Sequence, residues 1–360
     1  MSARLLIFLL SIVFFPFNSS STETKPIRIT IYPTIIDKKV VGSSTTIINK
    51  ETIRENAHLS LGQLLSKFSG INFENLYSGV DVKSSVRVRG FGEQATRNVL
   101  ILINGIRISD MTIAGANLSR VLIENVQKIE IIKGGKASLL FGDGAVAGAI
   151  NIITKNPLYV EDKFQGKTSL KSFNTRQQII SSTKKFDNFV YDYSLTNLET
   201  DGFRNNSEYD QSSFNFNLTN FNDGNSRTFT EFKMTDEQTR LPGSILLTDF
   251  YENPKQTRFP EDFATEKISS IKLGGEKNFY NENKITSILR LEKKDQYSSM
   301  LNWGIRYKSK TTLNTAHFNS QFISNKSTLK KDIIGKFGID IYNSTYKVDA
   351  NNWAYNQYIN

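Results

Sequence analysis

The sequence has no cysteine and only two histidines, His58 and His317, among its 360 residues. The absence of cysteine excludes a disulfide framework, a thiolate zinc site and a cysteine nucleophile. His58 precedes a predicted helix and His317 lies in a predicted strand, and neither has a sequence neighbour suited to nucleophilic or metal chemistry. We therefore predict no catalytic residue, no metal site and no cofactor, and we expect that the protein is not an enzyme.

Long apolar segments are also scarce. The main one, from Leu5 to Phe17, has thirteen residues, which is too short to span a bilayer as a helix. Arg4 precedes it and the small residues 18–21 follow it, an order typical of a secretory signal peptide. A buried N-terminal core helix is the alternative. We predict a signal peptide over residues 1–22 and a protein that works outside the cytoplasm.

The overall composition resembles that of a soluble protein. Hydrophobic residues make up 38% and charged residues 22% of the chain, which excludes a disordered protein and a bundle of membrane helices. The mean hydropathy is -0.35 and the net charge is +10. Basic loops can meet anionic lipopolysaccharide, although scattered lysines also serve solubility alone. We predict no nucleic-acid partner.

Residues 40–157 have the pattern of a mixed α/β domain. Ser60 begins a predicted helix, because apolar residues follow at helical spacing and Gln63 completes a capping box. Gly70 is placed to end that helix. Two apolar strands flank Asn104-Gly105, which is a strong hairpin signal. Further predicted strands cover residues 85–89, 126–132 and 148–154.

The glycine-rich segments do not fit a nucleotide-binding loop. Residues 142–148 precede a strand pattern where a dinucleotide site needs a helix, and Gly135-Lys136 lacks the Ser or Thr of a phosphate-binding loop. We predict instead that these glycines form tight turns between packed strands. The predicted turn residues are Gly90, Asn104, Gly105, Gly134, Gly142 and Gly148.

After Pro157 the pattern changes to alternating apolar and polar residues. Phe189, Tyr191, Tyr193 and Leu195, for example, alternate with Asp192, Ser194 and Thr196. Alternation of this kind is typical of a strand with two different faces. It predicts about nine strands, at residues 164–173, 176–185, 188–199, 210–221, 226–236, 266–276, 284–294, 311–322 and 333–345.

Short and long connections alternate between these strands. Residues 185–188, 222–225, 279–283 and 324–327 are predicted short turns, whereas residues 201–208, 236–265 and 295–308 are predicted long polar loops. This rhythm is typical of an antiparallel transmembrane β-barrel, in which one apolar face per strand meets lipid. A water-soluble β-sandwich or solenoid with one buried face is the alternative.

Residues 40–157 resemble the plug domain of TonB-dependent outer-membrane receptors. The resemblance rests on a series of motifs in the family's order, and residues 158–360 then resemble the N-terminal part of the receptor β-barrel. The motifs are Leu61-Gly62-Gln63-Leu64-Leu65 through Ile71, Val86-Arg87-Val88-Arg89-Gly90-Phe91-Gly92, Val99 to Ile108, and Val126 to Gly134 continuing through Phe141-Gly142 to Lys155. The implied fold is an α+β plug followed by an antiparallel barrel.

The resemblance also implies residues that join the plug to the barrel wall. These candidates are Arg87, Arg89, Glu130 and Lys133, with ordinary surface charge as the alternative for each. Lys133 replaces the usual Arg of the family motif and Gly135 replaces the usual Pro. A lysine cannot reproduce a bidentate guanidinium contact, so we expect a looser contact at Lys133.

Residues 23–39 form a predicted periplasmic linker that contains a TonB box. Alternating β-branched residues stand there between Pro26 and Pro33, and such a segment stays extended and accessible. It resembles the segment that TonB captures by adding it to a sheet edge, and a disordered linker is the alternative. The predicted box is Ile27, Arg28, Ile29, Thr30, Ile31 and Tyr32.

The function that the resemblance implies is uptake of a scarce nutrient through the outer membrane of a Gram-negative cell. Its implied partners are TonB with its inner-membrane energising complex, outer-membrane lipid, and a ferric siderophore as ligand, with cobalamin next. Substrate is expected on loops such as residues 236–265. The alternatives are a non-transporting plug and half-barrel that acts at most as a binding module, and a secreted enzyme.

The predicted strands do not complete such a barrel. Nine strands occupy residues 158–360 at about 22 residues each, whereas a plugged barrel of twenty-two strands needs on the order of 500 residues after the plug. We therefore expect a truncated sequence, which is either a fragment or a shortened product.

Overall fold

A computed structural model describes two structural units. The described residues are 45–74, 85–88, 98–108, 118, 121, 123–141, 144–155, 162–222, 226–279, 283–302, 304–328 and 331–352. The predicted signal peptide, the predicted TonB box, Arg89, Gly90 and Gly142 lie outside these residues. Of Arg87 the backbone alone is described.

The N-terminal domain combines short strands with short helices. None of its helices, nor any other described helix, is long and apolar enough to cross a membrane. Its elements are β1 (Thr45–Ile48), α1 (Lys50–Glu55), α2 (Leu61–Ser66), β2 (Ile71–Glu74), β3 (Ser85–Val88), β4 (Val99–Ile103), β5 (Ile106–Arg107), a 3-10 turn (Ile123–Asn125), β6 (Val126–Lys133), α3 (Lys136–Phe141) and β7 (Gly148–Thr154).

Five of these strands form one mixed sheet in the order β1-β6-β7-β4-β5. The β4–β7 pair is parallel and the other pairs are antiparallel. Strands β4 and β7 are mostly apolar and are buried on both faces, as expected for central strands with a parallel neighbour. The two α-helices before β2 cover one face, where Leu64 and Leu65 are fully buried. Burial of these side chains supplies the main stabilisation of the domain.

Helix α2 begins where the sequence predicts. The Gln63 backbone N–H donates to Ser60 Oγ at 3.2 Å, and the Ser60 N–H donates to Gln63 Oε1 at 3.0 Å. This reciprocal pair is a capping box. The helix ends at Ser66, and Gly70 takes a φ of 77° four residues later, at the turn into β2.

Two glycines allow backbone geometry that other residues resist. Asn104 and Gly105 turn β4 into β5 with φ of 54° and 79°, which matches a two-residue hairpin turn. Gly148 is the first residue of β7 and has a φ of 155°. A Cβ atom built on Gly148 would lie 2.5 Å from the carbonyl oxygen of Ile132. Gly148 is therefore required for the close approach of β7 to β6.

Nine antiparallel strands form a second, larger sheet. They pair in chain order from β8 to β16, each with its neighbours in sequence. The strands are β8 (Lys163–Lys171), β9 (Thr175–Phe186), β10 (Phe189–Thr200), β11 (Tyr209–Asn222), β12 (Ser226–Arg240), β13 (Phe263–Asn278), β14 (Lys284–Asn302), β15 (Ile305–Thr328) and β16 (Lys331–Asn352).

The predicted alternation sorts side chains onto two faces of the large sheet. We call the face that carries Arg290 the inner face, because Arg290 contacts the N-terminal domain. The outer face carries Leu195, Leu218 and Leu291, which are 47, 36 and 46% exposed. The prediction of one apolar and one polar face is confirmed by the strand register.

The strand lengths differ from the prediction at both ends of the sheet. Residues 201–208 and 241–262 are loops, but most of the predicted loop 295–308 continues β14 and β15, which pair as far as Asn302 and Ile305. Ser324 to Ser327, predicted as a turn, belongs to β15. Both errors have the same cause. Both segments are mostly polar in sequence, so they have no hydrophobic alternation to mark them as strand.

Replacing Gly148 with Ala should destabilise the N-terminal domain by about 2 kcal/mol or more, because the new Cβ meets the Ile132 carbonyl. Urea unfolding of the chain in detergent micelles, followed by protease susceptibility of the domain, measures the effect. Gly135→Ala is the matched control, because a Cβ there meets nothing within 4 Å and should change stability by less than about 0.5 kcal/mol. If the two variants unfold at the same urea concentration, Gly148 is not required for the packing of β7 against β6.

Candidate functional site

The β4–β5 hairpin is fastened to β7 by side-chain amides. Asn104 Nδ2 donates to Thr154 Oγ1, and Asn104 Oδ1 accepts from the Thr154 N–H, both at 2.9 Å. The Gly105 N–H donates to Asn151 Oδ1, also at 2.9 Å. These three bonds hold the hairpin tip against the last residues of β7. The predicted turn residues Asn104 and Gly105 therefore position β5 and its Arg107.

Glu130 and Lys133, predicted to contact the barrel wall, have described contacts within the N-terminal domain. Glu130 is fully buried and lies 2.7 Å from Lys128 Nζ, while Asn151 Nδ2 donates to it at 3.2 Å. Lys133 Nζ donates to the carbonyl of Ser69, in the turn between α2 and β2. Asn151 thus links the buried carboxylate to the hairpin. The roles of these two residues at the wall stay predictions.

The other predicted site residues are placed only in part. Gly134 has a φ of 82° and stands between β6 and α3, where its N–H donates to the Ala147 carbonyl at 2.8 Å. Arg87 lies in β3, opposite Asn72 of β2. Arg89, Gly90, Gly142 and the predicted TonB box fall outside the described residues.

The N-terminal domain and the large sheet meet at Arg290. Its Nη1 donates to the backbone carbonyl of Arg107 at 3.3 Å, and its Nη2 forms an ion pair with Glu292. The guanidinium of Arg107 lies against Gly144, about 3.3 Å from where a Cβ would stand. Among the described residues, the hairpin tip therefore contacts β14 through a charge-assisted hydrogen bond. No motif in the sequence marks Arg290 for this contact, apart from its inward position in the alternation.

Arg290 belongs to a row of polar side chains across the inner face. Register places one residue from each strand in this row, which we call the charged row: Asp192, Asn217, Glu231, Lys272, Arg290 and His317, on β10 to β15. Asn217 Nδ2 donates to Asp192 at 2.8 Å, and Lys272 forms an ion pair with Glu231. Opposite charges on neighbouring strands stabilise the sheet, and paired charges are tolerated where solvent is partly excluded.

His317 ends the charged row with a carboxylate partner. Its Nε2 lies 2.5 Å from Asp340 Oδ1 on β16, and its ring centroid lies 5.6 Å from that of Tyr342. The sequence shows no partner for His317, because Asp340 stands 23 residues away on the next strand. Within the described ranges, no group of three or more His, Cys, Asp or Glu side chains is placed to hold a metal ion.

More ion pairs lie on the inner face on both sides of the charged row, towards the short turns and towards the long loops. Glu276 is almost fully buried and lies 3.3 Å from Arg227 and 2.8 Å from Lys284. Nearer the long loops, Lys294 lies 3.0 Å from Glu266. The inner face therefore carries a network of paired charges, which is typical of a surface that lines a water-filled or plugged lumen.

Two loops at one end of the sheet pack into a single platform. We call residues 201–208 together with 241–262 the loop platform. Arg204 donates from Nη1 to the Gly243 carbonyl at 2.6 Å, and from Nε and Nη2 to the Gln256 carbonyl at 3.1 and 2.8 Å. Partial burial lowers the pKa of Arg204. Because a guanidinium carries several N–H donors in one plane, Arg204 can bind two separate segments of the longer loop at once.

Asn206 and Asp262 complete the attachment of the longer loop. Asn206 Nδ2 lies within hydrogen-bond distance of the carbonyls of Leu241, Phe259 and Asp262, at 3.2, 2.6 and 3.0 Å. The Asp262 carboxylate accepts from the Leu301 N–H at 2.9 Å and from Arg306 at 3.1 Å. The loop platform is thus tied to the ribbon of β14 and β15. The prediction located these loops but not Arg204, Asn206 or Asp262.

The platform presents a short helix with exposed apolar side chains. Helix α4 (Leu247–Glu252) has no buried residue. Leu247 and Tyr251 are 68 and 77% exposed, and Phe250 is 47% exposed. Aromatic rings offer a large contact area to a ligand at a small cost in conformational entropy. Residues held by a fixed loop at the end of a sheet are suited to binding.

Known proteins share both structural units. Residues 37–149 match the family model of the TonB-dependent receptor plug domain. The vitamin B12 transporter BtuB of Photobacterium profundum is 31% identical over 116 residues, which cover 32% of this chain and 18% of that protein. BtuB of Vibrio vulnificus is 34% identical over 114 residues, with the same shares covered.

Solved structures extend the likeness to the large sheet. The unliganded ferric citrate transporter FecA superposes with a TM-score of 0.72 at 14% identity, over 86% of this chain and 49% of that one. The ferric yersiniabactin receptor FyuA from Yersinia pestis gives a TM-score of 0.69 at 16% identity, with the same shares covered. The chain therefore spans about half the length of these receptors.

Together these findings identify the N-terminal domain and the fold of the sheet that follows it. Residues 37–149 are a TonB-dependent receptor plug domain, and the predicted family resemblance is confirmed. The nine-stranded sheet that follows has the fold of the barrel in receptors of this class, over about half of their length. The predicted fold class, a plug followed by an antiparallel barrel sheet, is likewise confirmed.

Replacing Arg290 with Met should loosen the plug from the sheet, because the Arg107 carbonyl loses its charged donor. We expect the amides of residues 106–108 to exchange with solvent about fivefold faster, which corresponds to about 1 kcal/mol. Lys293→Met on the outer face of the same strand is the control. Unchanged exchange in the Arg290 variant, measured by mass spectrometry in detergent, would show that this bond does not hold the hairpin.

Replacing Arg204 with Lys should free the longer loop of the platform. A single ammonium cannot occupy the places of all three N–H groups that reach Gly243 and Gln256. We expect limited proteolysis within residues 241–262 to proceed about fivefold faster, while β12 and β13 stay protected. Arg258→Lys in the same loop is the control, and equal cleavage of both variants would contradict the role of Arg204.

Proposed function

We propose that the protein is an outer-membrane receptor for TonB-energised uptake of a scarce nutrient. The observation that carries the proposal is the plug domain seated on the hydrophilic inner face of a barrel sheet, with Arg107 against Arg290. A wide barrel leaks unless a folded domain fills it. A plug of this kind is of use where a ligand crosses a membrane through a lumen that must otherwise stay closed.

The outer membrane is the proposed location, with the protein exported through the signal peptide at residues 1–22. The outer face of the sheet carries exposed apolar side chains along its strands, among them Phe164, Ile180, Leu218, Leu291 and Ile339. Outward apolar residues alternating with inward polar ones are what a transmembrane barrel strand requires. The long loops then lie on the cell exterior and the short turns in the periplasm.

The proposed ligand is an iron–siderophore complex, with cobalamin as the second candidate. The loop platform supports a bulky ligand of mixed polarity, because α4 exposes Phe250 and Tyr251 beside backbone held by Arg204 and Asn206. The BtuB relatives are named for vitamin B12, and FecA and FyuA for ferric complexes. The identity with BtuB lies over about a third of the chain.

Energy is proposed to arrive through the TonB box, Ile27 to Tyr32. An extended segment of alternating β-branched residues can add to the edge of a sheet in TonB by backbone hydrogen bonds. Tension on this segment acts on the plug, and movement of the plug opens a path past the charged row. The proposed partners are therefore TonB with its inner-membrane complex, the ligand and outer-membrane lipid.

Deleting residues 27–32 should abolish energised uptake and leave ligand binding intact, because only the capture by TonB is lost. The gene is expressed in Gram-negative hosts that lack their own receptors, with and without TonB. Uptake of radiolabelled ferric siderophores and of radiolabelled cobalamin is measured. We expect the deletion to lower uptake about tenfold, to the level of the host without TonB.

Deletion of residues 34–39 is the matched control, since it removes the same number of residues from the same linker. Uptake should persist in this variant. If the deletion of residues 27–32 transports as well as the control does, the TonB-box assignment is wrong. If neither ligand class binds to cells that carry the protein in the outer membrane, the proposed receptor function fails.

A further inference from the structure

The outer face of the large sheet contains a groove that the charged row and the plug do not explain. It has a volume of about 580 Å³ and crosses strands β12 to β16. Phe232, Ile271 and Leu291, which register places in one line, form its apolar edge. Ser269 and Ala316 line it where most of the apolar band carries larger side chains. The two small residues leave a depression between this apolar edge and the polar residues Asn314, Asn343 and Thr345.

The groove has different chemistry on its two sides. Towards the short turns lie Leu273, Leu289, Phe318 and Ile341, the next register line of the outer face. Towards the long loops lies Lys293, followed by further charged residues. The surface is therefore amphipathic along one direction, from apolar side chains at mid-strand to cations near the loops.

Positive charge on the outer face is concentrated next to this groove. In the half of β13 to β16 nearest the loops, the outer face carries six cations and two carboxylates, Asp295 and Asp349. The cations are Lys267, Lys293, Arg306, Lys308, Lys310 and Lys347. The same half of β9 to β12 carries Arg176 and Arg240 against three carboxylates, Glu199, Asp210 and Asp236.

The two lysines nearest the groove can take an anionic ligand. Lys293 lies 2.9 Å from Asp295, and Lys267 lies 3.0 Å from Asp236. The lysine side chains are 56 and 71% exposed, and exposed ion pairs contribute little stability. Each ammonium has three N–H donors, so a phosphate can be bound beside the existing carboxylate.

We infer that this groove binds one phosphorylated, acylated lipid of the outer leaflet. An acyl chain lies along Ile271 and Leu291, over Ser269 and Ala316, and the phosphate of the headgroup contacts Lys293 and Lys267. The polarity of the groove, apolar at mid-strand and cationic towards the loops, matches the axis of such a lipid from chain to headgroup. The inference rests on the proposed function, since it requires the outer face to lie in the outer membrane.

The charge contribution is tested by native mass spectrometry of the full chain in detergent, with diphosphorylated lipid A as the probe. The double substitution Lys267→Gln and Lys293→Gln should lower its affinity about tenfold or more, because two headgroup contacts are lost. The double substitution Arg176→Gln and Lys184→Gln, also on the outer face, is the control and should change affinity less than about twofold. Lipid A without phosphate should bind about equally to all forms.

The acyl-chain contribution is tested by filling the groove. Ala316→Phe should lower lipid A affinity about fivefold, because the ring occupies the depression. Gly166→Phe on β8 is the control, since a side chain there enters open space on the same face. Equal lipid binding by the substituted forms and their controls overturns the inference, as does full displacement of lipid A by inorganic phosphate.

Uptake measured with the same variants separates this inference from the proposed function. Weakened lipid binding with ligand uptake retained supports the lipid site and the receptor together. If lipid binding is unaltered in every variant while uptake is retained, the inferred lipid site is wrong and the proposed receptor function is still supported. Specific lipid binding by a protein that transports no ligand keeps the site and removes the receptor function.

Discussion

Strand register is the constraint on which the large sheet and its contacts depend. Side chains alternate between faces with a period of two, so a slip of one residue exchanges the two faces of a strand. In β14 such a slip would turn Arg290 outward and bring Leu291 against the plug. Correct register from β10 to β15 aligns the charged row, supports the hairpin at Arg107 and leaves apolar side chains on the outer face.

Local signals in the sequence were sufficient for much of this architecture. The capping box at Ser60 and the Asn104-Gly105 turn act within a few residues, so their chemistry can be read without knowledge of the fold. The two-faced strands were also predictable, because apolar and polar positions alternate along them. The predicted strand ends were less accurate where β14 and β15 continue beyond the apolar residues into a mostly polar hairpin.

Contacts between distant residues were not predictable in the same way. Arg290 and Arg107 are 183 positions apart, and Arg204 and Gln256 are 52 apart. In each bond the acceptor is a backbone carbonyl. Every residue has one, so the residue type of the acceptor does not reveal which arginine binds it. The plug residues Glu130 and Lys133 were selected by family resemblance, and their described partners are Lys128, Asn151 and the Ser69 carbonyl.

The order of strands in the plug sheet determines how force would travel through the domain. β1 pairs with β6 over four residues at one edge of the sheet, while β5, which rests on Arg290, lies at the opposite edge. A pull on the chain before Thr45 enters at β1 and must cross β6, β7 and β4 to reach that contact. Force that enters at β1 would therefore pass from a four-residue pairing, through the apolar middle strands, to the edge strand that Arg290 contacts.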